Sequence, residues 1–221
     1  MRVEQAGILS FRALFDVMLQ LARQHFRVLL MVILGLTAAE LIFNWAIPDT
    51  GSLLAIMVLE FFVLYHFCEH LLADQLPASQ DRSRRYGALF FASVLSVLGI
   101  LVGFVLLVLP GLYLMARWTL IAPLVIAEQR DGKAALNESW AITSASSGVL
   151  ISMMLATAAA SLVVPVMLFF MTDGMGGMAA YVSEALLSLG ANAWSTSTTV
   201  MAVAAYRLLR TSRSALSEVF A

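Results

Sequence analysis

Residues 87–109 read GALFFASVLSVLGILVGFVLLVL, an unbroken apolar run without a charged side chain. A helix needs about 20 apolar residues to cross the hydrocarbon core of a bilayer, so this run is long enough to span a membrane. The whole chain has the same character, since 61% of its 221 residues are hydrophobic and only 12% are charged. Soluble domains carry about 25% charged residues. The composition therefore predicts an integral membrane protein.

Apolar segments of this kind recur along the chain and predict an all-α, polytopic membrane bundle of about six transmembrane helices in a single domain, residues 1–221. They cover about 27–47, 52–73, 87–109, 111–127, 148–171 and 188–208. The last apolar stretch is longer than one crossing needs, so residues 178–187 are expected to form either an outer-surface helix or the protruding end of a tilted one. Glu184 is then expected at the outer rim, and Gly190 is a candidate for a bend. Little sequence remains for a soluble domain, which excludes most enzymes.

Two further segments predict helices at the membrane surface. In residues 5–25 the apolar side chains recur with helical period, while Arg12, Asp16, Gln20 and Arg23 gather on the opposite side. This pattern is typical of an amphipathic helix in the interface. Residues 131–146 also have helical character and carry Trp140, a residue type that anchors helices at membrane interfaces.

The positions of the cations predict the orientation of the chain. Basic residues precede the first crossing and follow the sixth, and they occupy the links between crossings two and three and between four and five; they are Arg2, Arg12, Arg23, Arg27, Arg82, Arg84, Arg85, Arg130, Lys133, Arg207, Arg210 and Arg213. By the positive-inside rule both termini are cytoplasmic, and the protein is a multi-pass protein of the cell inner (plasma) membrane. A net charge of -1 argues against nucleic acid as a partner.

Three short stretches in a fixed order resemble a known family. They are LPGLYLMARW at 109–118, APLVIAE at 122–128 and AALNESW at 134–140, and the last crossing ends in Tyr206-Arg207. Together they resemble the signature of the glycerophosphoryl diester phosphodiesterase membrane-domain family and are similar to YciC-like inner-membrane proteins. The resemblance implies a six-helix membrane module without an established activity, found alone or fused to a soluble phosphodiesterase domain. No segment here is long enough for that catalytic barrel, so we expect no diesterase activity and no cofactor.

Ionisable side chains within the crossings are the strongest candidates for a site, because charges inside a bilayer are costly and rare. At 1.5 Å per residue, Glu40, Glu60 and Arg117 lie about 10, 12 and 9 Å below the outer boundary, so they are expected to share one layer. One interpretation is a polar cavity, with Asn44 and residues 195–199 as further wall. The other is a structural lock, in which Arg117 pairs with one glutamate and the other glutamate is a protonated core residue.

A second candidate lies at the end of the second predicted crossing, where His66-Phe67-Cys68-Glu69-His70 matches the letters H-x-x-E-H of some zinc proteases. On a helix, His66 and His70 are one turn apart on the same face, a spacing suited to zinc, with Glu69 nearby as a base. The match is weak because no third ligand is evident and the segment reaches the interface, where such side chains extend toward water.

The sequence leaves three functions open. The leading hypothesis is a non-enzymatic membrane module that organises lipid or protein partners, with the two surface helices as a collar on the cytoplasmic side. The second is a small transporter or channel that uses the Glu40, Glu60 and Arg117 layer. The third is an intramembrane metal-binding protein. Gly99 and Gly103 favour close helix packing, either within the chain or through self-association.

Overall fold

The computed structural model describes residues 9–46, 50–76, 85–172 and 177–219, and within these ranges the chain forms helices and no strand. The predicted all-α class is therefore confirmed. The helices are α1 (Phe11–Gln24), α2 (Phe26–Ala46), α3 (Thr50–Leu71), α4 (Tyr86–Leu106), α5 (Val108–Arg117), α6 (Ile121–Ala127), α7 (Gly132–Ile142), α8 (Ser147–Thr172) and α9 (Gly177–Val219), with a 3₁₀ turn at Ser144–Ser146.

Five segments of the described chain are long and apolar enough to cross a membrane: Phe26–Ala46, Gly51–Leu71, Tyr86–Leu106, Val108–Ala127 and Ser144–Thr172. They correspond to the first five predicted crossings. The sixth, 188–208, falls inside the 43-residue helix α9 and is not among the five. Its centre carries Asn192 and the hydroxyl-rich residues 195–199, which lower the apolar content of any window there. A sixth crossing stays a prediction.

Both segments predicted to lie at the membrane surface form helices with shorter bounds, and their place at the surface stays a prediction. Helix α1 begins at Phe11, and residues 5–8 of the predicted segment lie outside the described residues. Helix α7 covers residues 132–142 of the predicted 131–146, and the rest is the 3₁₀ turn that leads into α8. The predicted links at Pro48, at Arg82 and Arg84, and at 173–176 also lie outside the described residues.

The predicted crossings 87–109 and 111–127 place the turn between them at Pro110, and this placement is wrong. Helix α4 ends at Leu106 and α5 begins at Val108, so the chain reverses at the extended residue Leu107 alone. Pro110 lies in the first turn of α5, where proline is tolerated because the N–H groups of that turn have no partner within the helix. Helix α9 runs without interruption through Gly190, and a bend within the helix at this residue stays a prediction.

The chain divides into two compact units, a first unit of residues 1–21, 68–154 and 200–221 and a second unit of residues 22–67 and 155–199. The boundaries between them fall inside helices and not in linkers. The prediction of a single membrane domain stays a prediction.

The first unit has a packed apolar core. Helix α4 packs against α5, α6 and α7, and α6 packs against α7. The largest fully buried side chains here are aliphatic and include Leu120, Leu124, Leu150, Met153 and Met201. Burial of such side chains is the ordinary source of stability in a folded core, at ~1.5–3 kcal/mol for each one.

Two glycines of α4 make the close packing of the α4–α5 pair geometrically possible. A Cβ added to Gly103 would lie 3.0 Å from the backbone of Gly111, and one added to Gly99 would lie 2.6 Å from the Trp118 ring. The face formed by Gly99 and Gly103 is therefore covered by the protein's own α5 and by Trp118. This placement favours packing within the chain over self-association at these two glycines.

The second unit reverses the usual distribution of polar and apolar side chains. Its buried residues are mainly hydroxyl or amide side chains: Thr37, Ser52, Ser183, Ser188, Asn192 and Thr196. Its exposed residues are mainly large and apolar, including Trp45 at 88% and Phe170 at 72% exposure. An apolar surface around a polar interior is costly in water and favourable in lipid. This unit has the surface of a protein that contacts a bilayer.

Candidate functional site

The fourth crossing is a broken helix. Helix α5 ends at Arg117, α6 starts at Ile121, and residues 118–120 between them form a turn. A break frees backbone N–H and C=O groups, and in a membrane protein such groups must find partners inside the protein. The sequence prediction of one continuous helix over 111–127 is therefore wrong at this point.

Ser139 of α7 supplies the missing partners. Its Oγ accepts a hydrogen bond from the Leu120 N–H at 3.2 Å and donates one to the Arg117 carbonyl at 2.7 Å. Thr143 Oγ1, one turn further along, lies 3.1 Å from the same carbonyl and 2.7 Å from the Ser139 carbonyl. Both side chains are fully buried. The geometry of the broken crossing is thus fixed by two hydroxyls of α7.

The Arg117 side chain is enclosed by aromatic rings. Its guanidinium carbon lies 4.2 Å from the Trp140 ring centroid and 5.5 Å from that of Tyr113, and the residue is only 4% exposed. Its Nε and Nη1 are buried and make no hydrogen bond within the described chain. A guanidinium is weakly hydrated and stacks well on aromatic faces, which offsets part of the cost of its burial. In this fold the Trp140 ring packs against the Arg117 guanidinium in a cation–π contact.

The two glutamates predicted to share a layer with Arg117 belong to the second unit. Glu40 Oε2 accepts a hydrogen bond from Asn192 Nδ2 at 3.1 Å, and Glu60 Oε1 accepts one from Ser195 Oγ at 2.6 Å. Asn192 and Ser195 are three residues apart on α9 and therefore lie on one face. The structure brings both glutamates to this face of α9. Arg117 belongs to the first unit, and its place in the same layer stays a prediction.

Asn192 is the residue of this network that the sequence prediction missed. In addition to its hydrogen bond to Glu40, Asn192 Nδ2 lies 3.3 Å from Thr37 Oγ1 and 2.9 Å from the Ser188 carbonyl oxygen, both within hydrogen-bonding distance. The sequence did indicate Asn192, because an amide side chain inside an apolar helix needs hydrogen-bond partners. It also lies only three residues before the predicted polar run 195–199. Glu60 and Ser195 were both expected in the polar wall, and the structure pairs them directly.

Glu184, which was placed at the rim and given no role, lines a cavity together with Glu40. The cavity has a volume of about 570 Å³ and is formed by the second half of α2, the end of α8 and the start of α9. Asn44, which was expected in the wall of a cavity shared by Glu40, Glu60 and Arg117, also lines this cavity. Glu60 and residues 195–199 are not among its lining residues.

A second polar cluster occupies the first unit and was not foreseen. The Tyr206 hydroxyl donates to Glu128 Oε1 at 3.0 Å and accepts from Arg210 Nη1 at 2.7 Å. Arg130 lies between two carboxylates, 3.5 Å from Glu128 and 3.0 Å from Glu138. These groups line a cleft of about 220 Å³. The carboxylates and the basic side chains of this cluster pair with one another or with Tyr206, as expected for a structural network.

The residues that carry the family resemblance meet in the first unit. Arg117 stacks on Trp140, Ser139 bridges the helix break, and Glu128 accepts from Tyr206. Arg207 Nη2 donates to the Leu71 carbonyl at 2.6 Å and to Asp74 at 2.7 Å. Each of these side chains has a partner elsewhere in the chain, so contacts within the fold account for them.

The chain matches no protein-family model, no curated protein and no solved structure.

The H-x-x-E-H segment lies at the end of α3. His66 and His70 are one turn apart on this helix, and His66 contacts the Tyr65 ring edge-on at 5.6 Å between centroids. Among the described residues no group of three or more His, Cys, Asp or Glu side chains is placed to hold a metal ion. Cys68 between them is a buried free thiol. Metal binding by His66, Glu69 and His70 stays a prediction without a third ligand in the described chain.

Proposed function

We propose that this protein is a non-enzymatic module of the cell inner membrane that organises lipid or protein partners, with both termini in the cytoplasm. Five helices able to cross a bilayer supply the membrane anchor. The aromatic enclosure of Arg117 and the hydroxyl bridges at the helix break give these buried polar groups a structural role. The family resemblance supports the same proposal, since it implies a membrane module without its own chemistry.

The observation that carries the proposal is the division of α1 into three stripes. One stripe is buried, one is apolar and exposed, and one is charged or polar and exposed; they are Leu14, Met18 and Leu21, then Phe11, Phe15 and Leu19, then Arg12, Asp16, Gln20 and Arg23. The apolar exposed stripe lies between the other two on a helical projection. A helix with one side on its own protein, one in lipid and one in water fits a position in the membrane interface.

The basic residues support contact of this side with anionic lipid. Arg23 and Arg27 flank the junction between α1 and α2, and Lys133 lies in the first turn of α7. By the positive-inside rule these positions share the cytoplasmic side. Each cation near an anionic leaflet contributes about 1 kcal/mol of attraction. The surface helices and these cations together would form the lipid-organising collar.

Two neighbouring cysteine variants test the placement of α1. The variants are made in a Cys68→Ala background and reconstituted into vesicles. The cysteine of Phe15→Cys will be protected from a water-soluble maleimide. A fluorophore attached to it will be quenched by a nitroxide placed in the bilayer. Asp16→Cys will be labelled rapidly, because it lies on the water-facing stripe. The two positions differ by one residue and serve as controls for each other. Equal labelling of both cysteines would show that α1 does not lie in the interface.

A small transporter is the second candidate, favoured by the Glu60–Ser195 hydrogen bond of 2.6 Å inside the second unit. If the protein is an organising module, anionic lipid or a stoichiometric protein partner will stay bound during purification. The same protein in proteoliposomes will then show no flux of protons or ions. Transport predicts flux that is lost in Glu60→Gln and kept in the exposed control Asp16→Asn. Flux of this kind would refute the module, and stable partners without flux would refute the transporter.

A further inference from the structure

The cavity lined by Glu40 and Glu184 has the properties of a ligand site. Its volume of about 570 Å³ lies within the ~300–1,000 Å³ typical of small-molecule pockets. Such pockets are largely apolar and carry a few polar groups that fix the ligand. Here Phe169 and Leu187 contribute apolar wall, and Asn44 and Ser188 contribute hydrogen-bonding groups. The cavity lies wholly within the second unit.

The charges of the cavity define the ligand class. Both ionisable residues that line it are carboxylates, and no basic residue is among the described residues of its wall. Glu40 is anchored by Asn192, which leaves its second oxygen available. Glu184 is exposed and makes no hydrogen bond or ion pair with another residue of the described chain. Two carboxylates without a compensating cation attract a positive charge into the cavity.

We propose that this cavity binds an amphiphilic organic cation, with its ammonium group between Glu40 and Glu184 and its apolar part against Phe169 and Leu187. The apolar wall excludes a simple hydrated metal ion as the best-fitting occupant, because such an ion prefers a shell of oxygen ligands. A neutral amphiphile would leave the carboxylates without a counter-charge. The inference goes beyond the proposed collar and does not depend on it.

Binding of three probes with one tail length tests the proposal. The full chain in nanodiscs of neutral lipid is titrated with octyltrimethylammonium, octanol or octyl sulfate, and empty nanodiscs give the background. We expect the cation to bind about tenfold more tightly than the other two, a difference of ~1.4 kcal/mol. Equal affinity for the three probes, or no binding of the cation above the empty-disc background, overturns the proposal.

Variants then locate the site. Glu184→Gln and Glu40→Gln should each remove most of the preference for the cation, and the double variant should remove all of it. Ala191→Phe, which fills the cavity without changing its charge, should weaken all three probes. Asp16→Asn, an exposed carboxylate of α1, should change nothing. Melting temperatures monitor folding, and a correctly folded double variant that keeps the preference for the cation refutes the site.

Discussion

Replacing Gly190 with alanine will destabilise the protein, although alanine is the better helix former. A Cβ on Gly190 would lie 2.5 Å from the Ser161 carbonyl oxygen and 2.9 Å from Pro165 Cγ. Pro165 lies inside α8 and has no N–H, so the Ser161 carbonyl lacks its α-helical donor, and α9 approaches at this position. Because the nearest atom is backbone, the two helix segments must separate to admit the methyl group. Overpacking of this kind costs ~1–3 kcal/mol.

The measurement is the melting temperature of purified protein in detergent, where we expect a fall of about 2–4 °C for each kcal/mol lost. Gly35→Ala in α2 is the matched control, since its added Cβ has no atom within 4 Å. There, helix propensity alone favours alanine by about 1 kcal/mol, and the melting temperature should rise or stay constant. A rise in both variants would contradict the close approach at Gly190.

Replacing Ser139 with alanine will have a comparable effect by a different mechanism. The change removes the hydroxyl that serves both Leu120 N–H and the Arg117 carbonyl, and the site is fully buried. Thr143 still reaches the carbonyl, whereas the N–H is left without its side-chain partner. A buried polar group without a partner costs about 1–3 kcal/mol. We therefore expect a lower melting temperature and faster proteolysis near residues 118–120.

Ser144→Ala is the control for Ser139→Ala. Ser144 is exposed, and its hydroxyl bonds only to the Ala141 carbonyl three residues earlier. A local bond of this kind on the surface contributes little, so the melting temperature should stay within the error of the measurement. If Ser139→Ala behaves like Ser144→Ala, the break in the fourth crossing is held by other contacts.

The sequence was sufficient for the uninterrupted crossings. Helix α4 carries no charged residue and no proline, so its bounds of 86–106 agree closely with the predicted 87–109. The amphipathic period of α1 was equally clear. Both cases depend on local patterns, which the sequence displays directly.

The broken crossing required tertiary information, yet part of its signal was present. Residues 118–120 contain neither glycine nor proline, and the break is stabilised from α7, 19 residues further along the chain. Pro123, however, occupies the third position of α6, as Pro110 does in α5. Proline is favoured in the first turn of a helix, so Pro110 and Pro123 each indicate the start of a new helix. Hydropathy alone does not reveal these starts.

The candidate sites were predicted in part. Glu40 and Glu60 were singled out as ionisable residues of predicted crossings, and each accepts a hydrogen bond from α9, but these partners follow from packing. One interpretation paired Arg117 with a glutamate, whereas the structure stacks its guanidinium on the faces of Trp140 and Tyr113. Aromatic partners were hard to foresee because Trp140 also fits an interfacial anchor. Glu184 gained its importance only from the cavity beside it.

The hydrogen bonds of Ser139 to the helix break also impose an order on the folding of this protein during its synthesis. The ribosome completes residue 120 well before residue 139, so during that interval the freed backbone groups of the fourth crossing have no Ser139 to bind. Such groups are costly to expose to lipid. The nascent α5–α6 segment is therefore expected to reach its final broken-helix conformation only after α7 has been synthesised and has packed against it.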